Sequence, residues 1–374
     1  MKVLHVINDL NAGGAERLLL DTLPVYNQYD NVKADLLLLS DKKNVFDSQI
    51  KKAGINIFVC KKRNIKSILN IFYIRRFIIQ GQYDIVHVHL FPSNYFVSLA
   101  RKLILNKNLI LIASEHNTHN RRRKYKIFRI IDKFIYKEFD YIISVSTKTE
   151  LNLQNWLNTP PTKKNKFKVV ENAVNVQKFH DASPYTQENL ISPPNDNLKL
   201  ICMVGSFGAQ KDQETLIKSM VSLKENVHLV LVGQGERLKE MKKLVSQLHL
   251  TSRVHFLGVR TDVERILKTS DIIALSSHWE GFGLVAVEGM AAGKPVIASN
   301  VDGLREVVEG AGLLFEKGNS SEFSKIVKQL LADPIFYEEI SSKCLEKSKI
   351  YDIKMMVEKT FQIYKSLLAK YEYS

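Results

Sequence analysis

The residues with the clearest chemistry are two glutamates, Glu280 and Glu288, with seven residues between them in the segment SSHWEGFGLVAVEGMAAGKPVIAS. Gly281 and Gly283 follow the first glutamate, and glycines let backbone N–H groups turn toward a ligand at a helix start. Such a helix start favours phosphate. A carboxylate beside it repels phosphate but accepts hydrogen bonds from hydroxyl groups. The segment therefore predicts a site for a phosphate group that also carries sugars.

The surrounding sequence predicts the elements that hold these residues in place. Residues 271–275 predict a strand, 284–292 a helix, and the β-branched run at 296–298 a second strand. The Gly-Lys-Pro sequence at 293–295 ends the helix, since glycine is common after a helix C-terminus and proline cannot continue it. This order is that of a parallel βαβ unit.

A similar arrangement begins the chain. A strand at 3–7 leads into the glycine turn Asn-Ala-Gly-Gly at 11–14, and a helix follows at 16–23. The turn lacks the Lys-Ser/Thr pair of a P-loop and the full glycine fingerprint of a dinucleotide site. On its own it is compatible with a tight βα turn as well as with a phosphate site.

Strand-like runs alternate with helical patterns along the chain, which predicts an α/β protein with parallel sheets. The remaining predicted strands lie at 34–39, 55–60, 85–89, 109–113, 141–145, 168–170, 200–204, 228–232 and 254–257. Ligands bind beyond the carboxyl ends of such strands. This rule places the following residues near one rim: Gly13, Gly14, His87, His89, His116 and Ser146.

Glu280 and Glu288, followed by GMAAGKPVIAS, resemble the signature of glycosyltransferase family 4, whose members are retaining enzymes with the GT-B fold. The resemblance covers nearly the whole chain and is strongest from 200 to 315. It implies two Rossmann-like domains facing a cleft, the first for the acceptor and the second for a nucleotide-sugar donor. It also implies that Glu280 lies beside the donor sugar and that Glu288 holds the nucleotide ribose.

The resemblance assigns further residues to the donor. His116 matches a histidine that contacts the donor sugar, with Glu115 as a candidate to orient its ring. No role is expected for the other histidines of this region, His87, His89 and His119. The implied donor-binding residues are Gly14 (within the segment GGAE), Gly205, Ser206, Gly233, Gly258, Arg260, Gly281, Phe282, Gly283, Leu284 and Glu288.

The mechanism implied by the family uses cations at the departing pyrophosphate and needs no carboxylate nucleophile. Members usually carry an Arg directly after the glycine corresponding to Gly205, and a Lys several residues later. Lys211 matches that Lys, whereas Ser206 replaces the Arg, and Arg260 is our candidate for a substitute cation. Without the match, Lys211 would be an ordinary helix-start lysine. The predicted catalytic residues are Glu280, Lys211 and His116.

No cofactor is expected beyond a nucleotide-diphosphate sugar as donor substrate, with a UDP-sugar favoured over a GDP-sugar. The absence of an Asp-x-Asp pair predicts that no metal bridges the diphosphate. The leaving phosphate would accept the proton of the acceptor hydroxyl on the same face.

The linker composition and the family resemblance together predict three segments. An acceptor domain is expected at 1–183, a nucleotide-sugar domain at 184–350, and a C-terminal helix at 351–374 that, by resemblance, crosses back to the first domain. A Pro-, Asn- and Ser-rich linker is expected at 184–197. Residues 172–175, Asn-Ala-Val-Asn, resemble the family's Asn-Gly-Val-Asp ahead of the hinge.

The 374 residues carry a net charge of +15, and its distribution is uneven. Residues 1–196 contain 30 Lys and Arg against 17 Asp and Glu, whereas 197–374 contain 24 against 22. The first half is therefore expected to meet something anionic. No apolar stretch approaches a membrane span and no signal region opens the chain, which predicts a cytoplasmic protein. The spacing of Cys60, Cys202 and Cys344 favours buried or incidental thiols.

Residues 121–139, RRRKYKIFRIIDKFIYKEF, form a basic amphipathic segment. Its apolar stripe, Ile127, Ile130, Ile131, Phe134 and Ile135, is predicted to pack mostly in the core. Arg121, Arg122, Arg123 and Lys124 are predicted to form a flexible basic arm near the acceptor opening. Such an arm can bind the anionic inner face of a plasma membrane, where a lipid-linked acceptor of surface-polysaccharide assembly would lie.

Three alternatives remain at this point. A small soluble anionic acceptor is compatible with the sequence. A GT-B-like sugar-nucleotide epimerase would need acid–base carboxylates and no acceptor, and the basic first half argues against it. A nucleic-acid partner is not expected, because no nucleic-acid-binding module is present.

Overall fold

The computed structural model describes residues 1–11, 13–42, 44–105, 108–116, 121–186, 190–191 and 198–372. The chain divides into two compact units, Met1–Asn172 with Ile353–Ser374, and Ala173–Asp352. The second unit therefore starts ahead of residue 184, because Phe179 is fully buried in its core. Most of the predicted linker at 184–197 lies outside the described residues.

The first unit contains a seven-stranded sheet in the order β3-β2-β1-β4-β5-β6-β7, in which every pair is parallel. Parallel strands need crossover connections, which helices provide. The strands are β1 (Lys2–Ile7), β2 (Lys33–Leu38), β3 (Ile57–Val59), β4 (Ile85–His89), β5 (Ile110–Glu115), β6 (Tyr141–Ser144) and β7 (Phe167–Val169). The helices are α1 (Gly14–Tyr26), α2 (Asp47–Lys52), α3 (Asn70–Gly81), α4 (Ser93–Arg101), α5 (Lys126–Lys137) and α6 (Thr147–Leu157), with short 3-10 turns at Arg121–Lys124 and Pro161–Lys166.

The second unit repeats this plan with a six-stranded parallel sheet in the order β10-β9-β8-β11-β12-β13. Its strands are β8 (Lys199–Val204), β9 (Val227–Val232), β10 (Val254–Gly258), β11 (Ile272–Leu275), β12 (Val296–Ser299) and β13 (Leu313–Phe315). Its helices are α7 (Val176–His180), α8 (Gln213–Ser219), α9 (Leu238–Gln247), α10 (Val263–Thr269), α11 (Leu284–Ala291), α12 (Leu304–Val308), α13 (Ser320–Ala332) and α14 (Pro334–Ser348).

The strand order reverses at one point in each sheet, between β1 and β4 in the first and between β8 and β11 in the second. The crossovers leave these two strands in opposite directions, so a crevice opens beyond their carboxyl ends. The candidate site residues of the second unit lie at or after the carboxyl ends of β8, β9, β10 and β11, and those of the first unit lie on and beside β1, β4 and β5.

The last helix, α15 (Ile353–Glu372), belongs to the first unit and packs against α1. The Tyr29 hydroxyl donates to Glu358 at 2.9 Å, and the rings of Tyr26 and Tyr364 stack at 5.9 Å. Tyr364 is fully buried, so this helix completes the core beside β1 and β4. Among the described helices, none combines the length and the apolar composition needed to cross a membrane.

The predicted strands are confirmed with ends shifted by at most two residues, and only β13 was not predicted. The buried, unpaired state of the three cysteines is also confirmed. The prediction for α5 was wrong in one respect. Ile127, Ile130, Ile131 and Phe134 are between 36% and 68% exposed, and of the stripe only Ile135 is buried. The helix instead turns Asp132, Ile135 and Tyr136 inward, because two half-buried side chains on neighbouring helices, Tyr95 and Trp156, donate hydrogen bonds to Asp132.

Candidate active site

Lys211 and Glu280 form an ion pair at the point where the second sheet reverses. Lys211 follows β8 and Glu280 follows β11, and the Lys211 ammonium contacts Oε1 of Glu280. The Ser277 hydroxyl donates to the same oxygen at 2.9 Å, and the Gln210 amide donates to Oε2 at 3.1 Å. Both charged side chains are largely covered, at 15% and 8% exposure. The carboxylate is thus held in one orientation, and the lysine charge is balanced inside the protein.

Three predicted glycines bring the ends of β8, β9 and β10 together. Gly233 has φ +139°, and a Cβ there would lie 2.1 Å from the carbonyl oxygen of Gly205. The Gly233 N–H donates to the carbonyl of Gly258 at 2.7 Å. A Cβ at Gly205 would lie 3.3 Å from the Lys211 stem. Only glycine permits this close approach, which sets where the lysine side chain lies.

The α11 helix begins directly after the Glu280 turn. Its N-cap is Gly283 at φ +83°, and a Cβ there would lie 2.4 Å from Cδ2 of Leu304. Glu288 is a buried residue of this helix, while Gly281 and Leu284 are half-buried. The start of this helix therefore follows Glu280 after only three residues, and its first backbone amides have a partial positive charge.

Phe282 lies in the same turn but differs in character from its neighbours. Its ring is buried and meets the ring of Tyr351 edge-on at 5.2 Å. The side chain thus contributes to the core of the second unit. Because the ring is buried, only the backbone of Phe282 could contact a donor.

The replacement cation suggested by the sequence is already engaged. Arg260 forms two hydrogen bonds to Asp262, at 2.8 and 2.6 Å, and its guanidinium lies near the Tyr185 ring. The same hydrogen bonds hold the pKa of Asp262 well below its usual range. Ser206 is exposed, and its carbonyl accepts a bond from Gln213. Arg260 would have to leave Asp262 before it could neutralise another anion.

In the first unit, the GGAE segment opens α1. Gly14 is the first residue of the helix, and a Cβ at Gly13 would lie 2.2 Å from Oε2 of Glu16. Glu16 is buried, and this burial raises its pKa to about 7. The sequence analysis gave Glu16 no role, because the helical pattern alone marks it only as a first-turn acid.

His116 lies at the end of β5, half-buried, and burial lowers its pKa to about 4. Its Nε2 lies 3.1 Å from Nδ1 of His89. His87 and His89 are fully embedded in β4, so they are not loop histidines, whereas His119 lies outside the described residues. The expectation that Glu115 orients His116 was wrong. Glu115 instead accepts from Tyr136 at 2.5 Å and pairs with Arg123, and His116 faces His89.

The predicted basic arm is a short 3-10 turn, and two of its arginines are covered. Arg122 pairs with Asp132 at 3.3 Å and lies over the Phe91 ring at 3.9 Å. Arg123 pairs with Glu115 at 3.3 Å. The flexible arm of the sequence analysis was therefore wrong for Arg122 and Arg123, because buried carboxylates hold them. Lys124 is exposed, and the side chain of Arg121 lies outside the described structure.

Three histidines of the first unit are close enough to raise the question of a metal. His5, His87 and His89 each offer a nitrogen within 4.8 Å of the others. The rings of His87 and His89 stack at 4.4 Å, and those of His5 and His89 at 5.4 Å. These nitrogens are already engaged in the described structure: Nδ1 of His5 lies 3.1 Å from Nε2 of His89, and both nitrogens of His87 lie within hydrogen-bond distance of hydroxyl groups. In their observed orientation these side chains do not form a metal site.

Comparison with known proteins gives two family matches. The model described as "Glycosyl transferases group 1" matches residues 186–347, and the model described as "Glycosyltransferase Family 4" matches residues 12–178. Each match falls largely in one of the two units.

Two relatives and one solved structure extend the similarity. The uncharacterized glycosyltransferase MJ1607 of Methanocaldococcus jannaschii is 30% identical over 287 residues, covering 72% of this chain and 71% of the relative. The N-acetylgalactosamine-N,N'-diacetylbacillosaminyl-diphospho-undecaprenol 4-alpha-N-acetylgalactosaminyltransferase of Campylobacter jejuni is 24% identical, covering 92% and 94%. The crystal structure of Anabaena Alr3699/HepE in complex with UDP and glucose matches with a TM-score of 0.84 at 21% identity, covering 98% and 100%.

Proposed function

The chain belongs to the family 4 and group 1 glycosyltransferases and has the GT-B fold, and we propose that it is a retaining enzyme of surface-polysaccharide synthesis. It would move a sugar from a nucleotide-diphosphate donor to a hydroxyl of a glycan acceptor. The observation that carries this proposal is the Lys211–Glu280 pair beside the start of α11.

The pair suits a reaction in which negative charge grows on a phosphate. The bond between the anomeric carbon and the phosphate oxygen breaks, and its electrons go to that oxygen. Lys211 and the α11 amides would stabilise this charge. The acceptor oxygen bonds to the anomeric carbon on the same face, and its proton passes to the leaving phosphate. Glu280 would meanwhile accept hydrogen bonds from sugar hydroxyls, and His116 would contact the donor sugar.

The donor is proposed to be a UDP-sugar. Structures of Alr3699/HepE, similar in fold, hold UDP with glucose in one case and UDP-glucose in another. In our proposal Glu288 binds the ribose, and no metal ion joins the diphosphate. Calorimetry with UDP and GDP tests the preference, and tighter GDP binding would reverse it.

The acceptor is proposed to be lipid-linked. The Campylobacter relative carries diphospho-undecaprenol in its name, and this chain matches it over nearly its whole length. A small soluble anionic acceptor is the second candidate, since the first half of the chain is strongly basic.

The exposed face of α5 supports our proposal that the protein binds to the cytoplasmic surface of a membrane. Its outward apolar residues lie among exposed lysines, Lys126, Lys133 and Lys137. A helix of this kind lies in the plane of the lipid headgroups, and each engaged cation contributes about 1 kcal/mol on an anionic leaflet. With Arg122 and Arg123 held by carboxylates, the proposed docking surface is α5 with Lys124.

Mass spectrometry of products from a panel of nucleotide sugars, with lipid-linked and soluble acceptors, tests the function. Transfer to a lipid-linked acceptor supports the proposal. Transfer only to a soluble acceptor would replace the proposed lipid-linked acceptor with a soluble one. Epimerised nucleotide sugar without any transfer would overturn the proposed glycosyltransferase activity. Lys211→Ala serves as the matched inactive control.

A further inference from the structure

Four histidines from three adjacent strands meet inside the first unit. His5 lies on β1, His87 and His89 on β4, and His116 just after β5. His5 is the register partner of His87, and residues two apart on a strand share a face. The strand pairing therefore puts His5, His87 and His89 on one side of the sheet, at its reversal point, and His116 meets them through His89.

Three of these rings form an unbranched hydrogen-bonded chain. Nε2 of His116 lies 3.1 Å from Nδ1 of His89, and Nε2 of His89 lies 3.1 Å from Nδ1 of His5. The chain ends at Nε2 of His5, which is buried without a hydrogen-bond partner among the described residues. At the other end, Nδ1 of the half-buried His116 has no hydrogen bond to a described residue.

His87 does not take part in this chain. Its Nε2 lies 2.7 Å from the Ser114 hydroxyl, and its Nδ1 lies 2.5 Å from the Tyr364 hydroxyl. It therefore offers a neighbouring buried histidine whose replacement leaves the chain itself intact.

Burial favours the neutral form of every ring in the chain. Burial lowers the pKa of His5 to about 3 and that of His116 to about 4, and it also lowers the pKa of His89. A neutral imidazole carries one N–H and one lone pair. Only two arrangements satisfy both links: every ring is protonated on Nδ1, or every ring is protonated on Nε2.

The buried end decides between them. If the rings were protonated on Nε2, the N–H of His5 would lie in the interior without an acceptor. Among backbone groups, buried N–H groups without an acceptor are rarer than under-satisfied acceptors, and we apply the same preference to this imidazole. The exposed end of the chain does not favour either arrangement, because water or a ligand can pair with His116 in both tautomers.

We propose that His5 and His89 are positioning residues that hold His116 as its Nδ1–H tautomer, so that His116 presents a hydrogen-bond donor to an oxygen of its ligand. His5 donates to His89, and His89 donates to His116. In this state His116 binds a hydroxyl or phosphate oxygen and does not take a proton. The ligand part of this inference rests on the proposed function; the tautomer part does not.

Nitrogen NMR of the ¹⁵N-histidine-labelled full chain, without substrate, tests the tautomer directly. His116 is expected to be neutral with its proton on Nδ1 at pH 7, as are His89 and His5. Signals are assigned with single His→Gln variants. A His116 proton on Nε2, a mixture of tautomers, or a charged ring overturns the proposal, whether or not the protein proves to be a glycosyltransferase.

Two variants of His89 test the positioning role. His89→Phe removes the donor to His116, and we expect a mixture of His116 tautomers and a fall of about tenfold in kcat/KM. His89→Asn keeps an N–H near the Nδ1 position and is expected to restore both. His87→Gln, off the chain, should leave the His116 tautomer unchanged. Equal effects of the Phe and Asn variants on the tautomer overturn the role of His89, and if the Phe variant fails to fold, the wild-type spectrum still decides.

Discussion

The ammonium of Lys211 lies against one carboxylate oxygen of Glu280, although 69 residues separate them in the chain. Each residue neutralises the other in a largely covered site, and Ser277 and Gln210 fix the carboxylate. In our proposal, a donor phosphate would compete with Glu280 for the Lys211 ammonium, so a stronger ion pair would leave less of the lysine charge for the phosphate. The predictions below begin from this pair.

Lys211→Ala is expected to lower kcat by about a hundredfold, because it removes a cation from the developing phosphate charge. Donor affinity should change less than kcat. The variant also leaves Glu280 buried without its cation, which costs about 3 kcal/mol of unfolding free energy. Steady-state kinetics and urea denaturation measure the two effects.

The double variant Lys211→Met/Glu280→Gln should regain stability but not activity. A change confined to the donor KM would make Lys211 a ground-state binder.

Glu288→Ala should weaken nucleotide binding while the fold persists, since alanine is well tolerated in a helix. Our reason is the position of Glu288 one turn inside α11, beyond the Glu280 turn. Calorimetry with UDP checks the affinity, and circular dichroism checks the fold. Glu338→Ala, an exposed acid on α14, is the control. Equal UDP affinity in the Glu288 variant and the wild type would remove the ribose assignment.

Gly233→Ala should destabilise the second unit by about 3 kcal/mol or more, because its Cβ would meet the Gly205 carbonyl at 2.1 Å in a backbone region that suits glycine. Gly318→Ala is the matched control. Gly318 also has positive φ, at +81°, but no atom lies within 4 Å of its Cβ position. The control should cost only about 1–2 kcal/mol. Similar denaturation midpoints for the two variants would refute the close strand approach.

Replacement of Ile127, Ile130 and Phe134 by Ser should release the protein from anionic vesicles and slow transfer to a lipid-linked acceptor. These side chains are exposed on α5 and would enter the headgroup region. Binding of the wild type should fall with salt, since exposed charges are screened over about 8 Å at physiological ionic strength. Vesicle co-sedimentation measures both. Ile335→Ser, on an exposed site of the second unit, should have no effect. If the wild-type protein does not bind anionic vesicles at low salt, that result would favour the soluble acceptor.

Acidification should destabilise the first unit through its buried histidines. The pKa of His5 falls from 6.5 to about 3 on folding, so between these values the unfolded chain binds a proton that the folded chain does not. The unfolding free energy therefore decreases as pH falls below 6.5, by up to about 1.4 kcal/mol per pH unit for each such histidine. His87, His89 and His116 act in the same direction, whereas Glu16, with a pKa raised to about 7, acts oppositely.

Denaturation at a series of pH values measures this slope. His5→Phe should make it shallower, whereas His249→Asn, at an exposed histidine of the second unit, should leave it unchanged. An unaltered slope in the His5 variant would mean that His5 is protonated in the folded chain.

The sequence by itself determined the strands, the glycine turns and the family. Apolar runs and helical spacing are local properties, so β4 and the βαβ unit around Glu280 were recognisable without a structure. The two glutamates and the glycines between them lie within one short segment, and their arrangement follows from the turn and helix that the same segment encodes.

Only the tertiary structure decided which side chains meet. Lys211 contacts Glu280, and His5 lies within hydrogen-bond distance of His89, 84 positions later in the sequence. These pairs meet because a parallel sheet brings together strands that are far apart in the sequence. The inward face of α5 was likewise decided elsewhere: Asp132 is buried because Tyr95 and Trp156 donate to it from other helices. Local periodicity reports an apolar stripe but not its partner, so the sequence could not tell a core face from an exposed docking face.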